Sequence, residues 1–152
     1  MQFKTATHVI TALTSLTTLT SLASAQGQTR ETNITTDAAG THYVGFRPDG
    51  GPLQIRDDVD TWTLAFMSGD STIRATLTDA NYYGVECPAD PGQVCYSTRR
   101  EGQVFVFEPS SSTPGAYTIR QSGSAWFWIV EDNVIFPAGS ADSAQAFYLN
   151  LD

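Results

Sequence analysis

The chain of 152 residues is 41% hydrophobic and carries 16 acidic residues against 8 basic ones, a composition typical of one folded domain. Its formal net charge of −8 disfavours nucleic acid and anionic membrane surfaces as partners, because binding to phosphates depends on clusters of lysine and arginine. We take the acidity mainly as a source of solubility.

The first 25 residues have the pattern of a secretory signal peptide. Lys4 precedes an apolar, threonine-rich stretch, and Ala23-Ser24-Ala25 has the small-x-small form of a signal peptidase site. The stretch is too short and too rich in threonine for a membrane anchor, which needs roughly 20 mostly apolar residues. We therefore predict cleavage before Gln26 and a secreted, extracellular domain over residues 26–152 with no membrane partner.

The first part of this domain has the pattern of four short strands. TNITT, THYVGF, PLQIR and TWTLAF are rich in β-branched and aromatic residues and are separated by turn-forming residues. Within the first of them, Asn33-Ile34-Thr35 is an N-glycosylation sequon. We predict Asn33 as a glycosylation site, on the condition that its side chain faces outward from the strand.

The second part repeats the pattern with STIRATL, NYYGVE, QVCYS and QVFVF, and it contains both cysteines. In an oxidising compartment Cys87 and Cys95 are expected to form a disulfide. The bond would close the loop CPADPGQVC, and in the chain-entropy model it is worth roughly 2–3 kcal/mol. A metal or redox site is disfavoured, because no further Cys or His lies nearby in the sequence.

The third part continues with AYTIRQ, AWFWIV, VIF and AFYLNL. If AWFWIV is a strand, alternation places Trp126 and Trp128 on one face and Phe127 on the other. One face has to be core, so the other is a candidate platform on which a sugar ring can stack. The alternative is that the strand packs on both faces and exposes no ring.

The three parts end in the same way, with a polar residue two positions before an aromatic one. The aromatic residues Trp62, Phe105 and Phe147 lie 43 and 42 residues apart, and no stretch after residue 30 has helical spacing. We therefore predict an all-β fold, a β-trefoil of three four-stranded repeats. Its three closing rings would meet in one core, where burial of each is worth roughly 2–3 kcal/mol.

The triplets Gln103-Val104-Phe105 and Gln145-Ala146-Phe147, with the variant that begins at Asp60, resemble the Gln-x-Trp repeats of ricin-type β-trefoil lectins. The resemblance implies a sugar site made by an Asp after the first strand of a unit and an aromatic residue near the third. Asp37 is the corresponding acid of the first unit. The family's Asn directly before the Gln is absent, and the three positions hold Val59, Gly102 and Ala144.

The second unit matches the pattern best. Asp79 stands near the Asp position and Tyr96 near the aromatic position, and Asn81 follows Asp79 by two residues. We predict these three as the ligand-binding residues.

The sequence lacks the usual components of a catalytic site. His42 is the one histidine after the signal sequence, and no Gly-x-Ser-x-Gly motif accompanies it. The acidic run Asp57-Asp58-Val59-Asp60 lacks the glycine and glutamate of a calcium-binding loop. We predict no enzymatic activity, no metal and no cofactor.

Three functions remain open for such a domain. A secreted, non-catalytic glycan-binding protein is the first. The second is a protease inhibitor that acts through projecting loops, of which residues 87–95 and 108–115 are the candidates. The third is a secreted effector or cell-wall-associated protein. In each case we expect a monomer whose partner is an extracellular glycan or a secreted protease.

Overall fold

The computed structural model describes residues 29–67, 73–100 and 102–150. Across these ranges there are twelve β-strands, a 3-10 turn at Ala141–Ser143 and no α-helix, which confirms the prediction of an all-β protein. The predicted signal peptide lies outside the described residues, and no helix within them is long and apolar enough to cross a membrane. The strands are β1 Thr29–Thr35, β2 Tyr43–Arg47, β3 Gly50–Arg56, β4 Trp62–Phe66, β5 Ile73–Asp79, β6 Gly84–Glu86, β7 Tyr96–Thr98, β8 Val104–Pro109, β9 Tyr117–Gln121, β10 Phe127–Glu131, β11 Val134–Gly139 and β12 Tyr148–Asn150.

Nine of the strands close into one antiparallel barrel. The hydrogen-bonded order is β1, β2, β3, β11, β10, β9, β8, β5 and β4, and β4 returns to β1. β12 pairs with β1, while the hairpin of β6 and β7 joins β5 on one side and β3 on the other. Because the ring is closed, none of these nine strands presents a free edge within it.

The predicted β-trefoil of three four-stranded repeats is wrong, because the three predicted units contribute unequally to this barrel. The first unit supplies β1 to β4, the second supplies only β5 and β8, and the third supplies β9, β10 and β11. Strand length is the physical reason. The nine barrel strands have five to seven residues each, whereas β6, β7 and β12 have three and offer few ladder hydrogen bonds.

The three closing aromatic residues are fully buried in a single core cluster. Their rings pack against other aromatic residues of the core and do not form pairs with one another. Trp62 packs edge-on against Phe46 at 5.5 Å between ring centroids, whereas Phe105 and Phe147 both pack against Trp128, at 5.1 and 5.8 Å. Trp128 is therefore the central ring of this part of the core.

In two of the three triplets the side chain of the polar residue holds a neighbouring segment in place. The side-chain amide of Gln103 accepts a hydrogen bond from the backbone N–H of Cys87 at 2.8 Å and donates one to its carbonyl at 3.1 Å. In the first unit Asp60 accepts a bond from the N–H of Phe46 at 3.2 Å. Burial raises the pKa of Asp60, and the charge of Asp79 adds to the rise, although the bond from Phe46 opposes it. In these two triplets the polar residue thus has a structural role, whereas the side chain of Gln145 donates to the carbonyl of the adjacent Ala146 at 3.1 Å.

The predicted disulfide between Cys87 and Cys95 is present, and both residues are buried. Cys95 lies between the barrel strands β3 and β11. The carbonyl of Cys95 accepts a hydrogen bond from the N–H of Leu53 at 2.7 Å, and its own N–H donates to the carbonyl of Ile135 at 3.0 Å. The exposed loop that the disulfide closes is therefore attached to the barrel at its base.

The aromatic run before β11 does not alternate as the sequence predicts. A register shift between Phe127 and Trp128 interrupts the pairing of β10 with β11, and both of these residues are buried. Trp126 precedes the first residue of β10 and has 38% of its surface exposed. The extra residue of this β-bulge, Ala138, lies on β11. Because Trp126 lies outside β10, the alternation of that strand does not determine its orientation, and it is exposed whereas Trp128 is buried.

Candidate ligand-binding site

The predicted ligand-binding residue Asp79 ends β5 and lies beneath the turn that follows it. Only 3% of its surface is exposed. One carboxylate oxygen, Oδ1, accepts hydrogen bonds from the backbone N–H groups of Asn81 at 3.0 Å and Tyr83 at 2.7 Å. Asp79 therefore stabilises the turn, whereas Asn81 lies on its surface.

The third predicted residue, Tyr96, lies on β7 opposite Glu86 and is 40% exposed. Partial desolvation raises the pKa of its hydroxyl, and the adjacent Glu86 carboxylate raises it further. The turn between β5 and β6 also projects Tyr82, which is 84% exposed and has a positive φ of 63°. The structure thus places Asp79 and Asn81 on one turn and Tyr96 further along the β6–β7 hairpin, and their role in binding stays a prediction.

Asp37 of the first unit caps the equivalent turn after β1. Its carboxylate accepts hydrogen bonds from the backbone N–H groups of Thr41 and His42, and Nδ1 of His42 lies 2.9 Å from Oδ2. Partial desolvation raises the pKa of Asp37, but the hydrogen bonds from His42 and Thr41 outweigh this effect and hold it at about 2, against 3.8 ordinarily. The acid of the family pattern is structural in this unit too.

This low pKa predicts a pH-dependent contribution to stability. Because the carboxyl of Asp37 has a pKa of about 2 when folded and 3.8 otherwise, its ionised form favours the folded state, and this contribution disappears as the pH falls from about 4 to about 2. We expect Asp37→Asn to be less stable than the original chain near neutral pH, with a difference that shrinks as the pH falls through about 2 and vanishes below it. Urea unfolding at several pH values measures the difference in free energy of unfolding between the two proteins. A difference that does not change with pH would contradict the low pKa of Asp37.

Asn33 lies on β1 between two inward-facing residues. Thr32 and Ile34 are buried, whereas Asn33 is half-buried and lines a surface groove. The outward orientation that the sequence analysis required of a glycosylation site is therefore met. Whether the site is occupied stays a prediction.

A second groove, of about 310 Å³, lies between the disulfide loop and the turn that joins β9 to β10. The exposed ring of Trp126 forms part of its wall, and Ala89 belongs to the loop on the other side. Polar groups accompany the indole, because most of the remaining lining residues come from the polar turn: Gln121, Ser122, Gly123, Ser124 and Ala125.

Hydrogen bonds fix the turn that carries Trp126. The backbone N–H of Trp126 donates to Oγ of Ser124 at 3.0 Å, and the N–H of Ser124 donates to the carbonyl of Gln121 at 3.1 Å. Arg120 donates from one guanidinium nitrogen to the carbonyl of Ser124 at 3.1 Å and binds the carboxylate of Glu108 through others at 2.8 and 3.1 Å. The turn is consequently pre-organised, which reduces the entropy lost when a ligand binds.

Trp126 was a candidate platform in the sequence, but its polar partners were not identified there. The signal that could have found them is the segment QSGSA, residues 121–125, a polar turn directly before an aromatic residue. Ala89 has no such signal, because it reaches the groove only through the disulfide loop. Sequence spacing alone cannot show that contact.

The described residues contain no cluster of three or more His, Cys, Asp or Glu side chains placed to hold a metal ion. The chemistry that the Trp126 groove offers is a flat apolar ring beside hydroxyl and amide groups, which suits a neutral polyhydroxylated ligand. A scan of the chain against protein-family models finds no match, and a search of curated proteins finds none either.

Proposed function

We propose that this protein is a secreted, non-catalytic glycan-binding domain that holds a neutral sugar against Trp126. The observation that carries the proposal is the 38% exposed indole in a groove that Gln121, Ser122 and Ser124 also line. An indole face stacks on the apolar C–H face of a sugar ring, while the hydroxyl groups at the edge of that ring need hydrogen-bonding partners. Gln121, Ser122 and Ser124 supply such partners.

The volume of the groove and the net charge of the chain limit the class of glycan that can bind. Its volume of about 310 Å³ is at the lower end of the range for small-molecule sites, so it accommodates one or two sugar rings at the end of a glycan. The acidic chain, at −8 overall, disfavours sulfated or other polyanionic glycans.

The test is a glycan array probed with the secreted chain, followed by titration of the best neutral ligand. We expect Trp126→Ala to weaken binding by about tenfold or more, because the stacking surface is lost, and Trp126→Phe to retain part of the affinity. Tyr96→Ala is the matched control, since it removes an equally exposed ring at the other predicted site.

Each result decides a specific point. Loss of binding in Tyr96→Ala alone would move the site to Asp79, Asn81 and Tyr96, as the sequence pattern predicts. Failure of the original chain to bind any glycan on the array would contradict the proposed function.

Protease inhibition is the second candidate, and the disulfide loop favours it. The loop residues 89–94 are exposed, while the bond between Cys87 and Cys95 and the backbone contacts of Cys95 hold the base of the loop. A constrained, projecting loop loses little entropy when it enters a protease cleft. Inhibition of secreted serine or cysteine proteases that is lost on alanine replacement of residues 90–93 would support this function over glycan binding.

A further inference from the structure

The groove that Asn33 lines is the larger of the two described above. It runs along β1, in the first of the three sequence units. The groove has a volume of about 530 Å³. Its lining is entirely polar or charged: Arg30, Glu31, Thr32, Asn33, Thr61 and Asn150. No residue of the Trp126 groove belongs to it, so any ligand that it holds is independent of the proposed function.

The side chain of Asn33 contacts the wall of this groove through its amide oxygen. The hydroxyl of Thr61 donates to its Oδ1 at 3.4 Å, so the contact uses the carbonyl oxygen of the amide. The Nδ2 atom is the one to which an N-linked sugar attaches. Asn150 is the direct ladder partner of Asn33 on β12, which places a second amide beside the attachment point.

The other groups of the groove suit the first sugars of such a chain. Arg30 supplies guanidinium donors, Thr61 a hydroxyl, and Asn150 an amide that both donates and accepts. These are the partners that the hydroxyl and N-acetyl groups of an N-acetylhexosamine require, and a groove of about 530 Å³ is large enough for more than one ring.

We propose that Asn33 carries an N-linked glycan whose first N-acetylhexosamine residues lie in this groove against Arg30, Thr61 and Asn150. In the attachment step Nδ2 loses one proton and bonds to the anomeric carbon of the first sugar. The bond from that carbon to a lipid-linked diphosphate breaks, and the diphosphate leaves with the electron pair. The inference requires passage of the chain through a secretory compartment but not any lectin activity.

The position of Thr35 determines when attachment occurs. Its side chain is fully buried, and its hydroxyl donates to the carbonyl of Asp37 at 2.9 Å. The transferring enzyme reads this hydroxyl as part of the sequon, and in the folded barrel it is inaccessible. Attachment therefore precedes the pairing of β1, and the folded chain then holds the glycan in the groove.

The experiment uses the full chain expressed in a eukaryotic secretory host. Mass spectrometry of the peptide that contains Asn33 is expected to show an N-linked glycan, and Asn33→Gln removes it. We expect Asn33→Gln to lower the melting temperature by about 3 °C, because the contacts between sugar and groove are lost. The same substitution is then made in an Asn150→Ala background, where we expect at most half of that decrease.

Gln93→Ala provides the matched background, since it removes an exposed amide that does not line the groove. The full decrease of about 3 °C should persist there. An unmodified Asn33 peptide would overturn the proposal. An equal decrease in the Asn150→Ala and Gln93→Ala backgrounds would overturn the placement of the glycan in the groove. Neither result bears on glycan binding at Trp126, whose array test is separate.

Discussion

Replacement of Trp128 by alanine is expected to lower the free energy of unfolding by about 3–5 kcal/mol, the usual cost of truncating a buried tryptophan. The indole is fully buried and contacts the rings of both Phe105 and Phe147. These two residues close the second and third sequence units, so the cavity left by the alanine separates parts of the core that the ring now joins. Because a domain of this size is stable by only about 5–15 kcal/mol, the loss is a large fraction of the total.

Urea unfolding followed by far-ultraviolet circular dichroism measures this effect without relying on tryptophan fluorescence. Trp126→Ala is the matched control, and we expect it to cost less than about 1 kcal/mol, because that ring is partly exposed and outside the core cluster. Trp128→Phe should fall between the two, since the buried Nε1 of Trp128 has no hydrogen-bond partner and its removal sacrifices no bond. Equal costs for the two alanine variants would contradict the assignment of Trp128 to the centre of the core.

The second large effect is expected from the double substitution of Cys87 and Cys95 by alanine. Opening the loop between them should lower the free energy of unfolding by about 2–3 kcal/mol, because the unfolded chain regains conformational freedom. Ala89 lies in this loop and lines the Trp126 groove. Since this wall of the groove loses its constraint, the same variant should also bind the proposed glycan ligand more weakly. Both changes are measured on one preparation, by urea unfolding and by ligand titration.

Pro91→Ala is the control for this prediction, because it changes an exposed residue of the same loop and leaves the disulfide intact. We expect its stability to change by less than about 0.5 kcal/mol. If the double cysteine variant unfolds at the same urea concentration as the original chain, the backbone bonds of Cys95 to Leu53 and Ile135 hold the segment without the disulfide. The loop-entropy argument would then be wrong.

Local pattern predicted the positions of the strands but not the number of strands that close the barrel. The segment AFYLNL predicts a strand of full length, yet within the described residues, which end at Asn150, β12 contains only Tyr148–Asn150. Phe147 makes an isolated bridge to Tyr117 instead of extending the ladder. Strand propensity depends on the residues of one segment, whereas ladder length depends on the partner that the fold supplies, so the sequence could not distinguish a barrel strand from a short one.

In the candidate site, too, local sequence pattern located residues but did not show which contacts they make in the fold. The resemblance places Asp79 near a sugar-binding position, whereas the structure shows it as the last residue of β5, with a carboxylate that accepts two backbone N–H bonds beneath the turn. Trp126 appears in the sequence as one ring in a run of three. Its exposure follows from its position just before β10 begins at Phe127, and the period of the residues does not mark that boundary.

The amino-acid sequence by itself determined that the protein is all-β and that its two cysteines are joined. Each of these follows from interactions between residues close in the chain or from the period of two along a strand. The tertiary structure decided that nine strands close the barrel and that Trp126, and not Trp128, faces solvent. Both depend on which distant strands pair and in what register, and that choice is made by burial summed over the whole core.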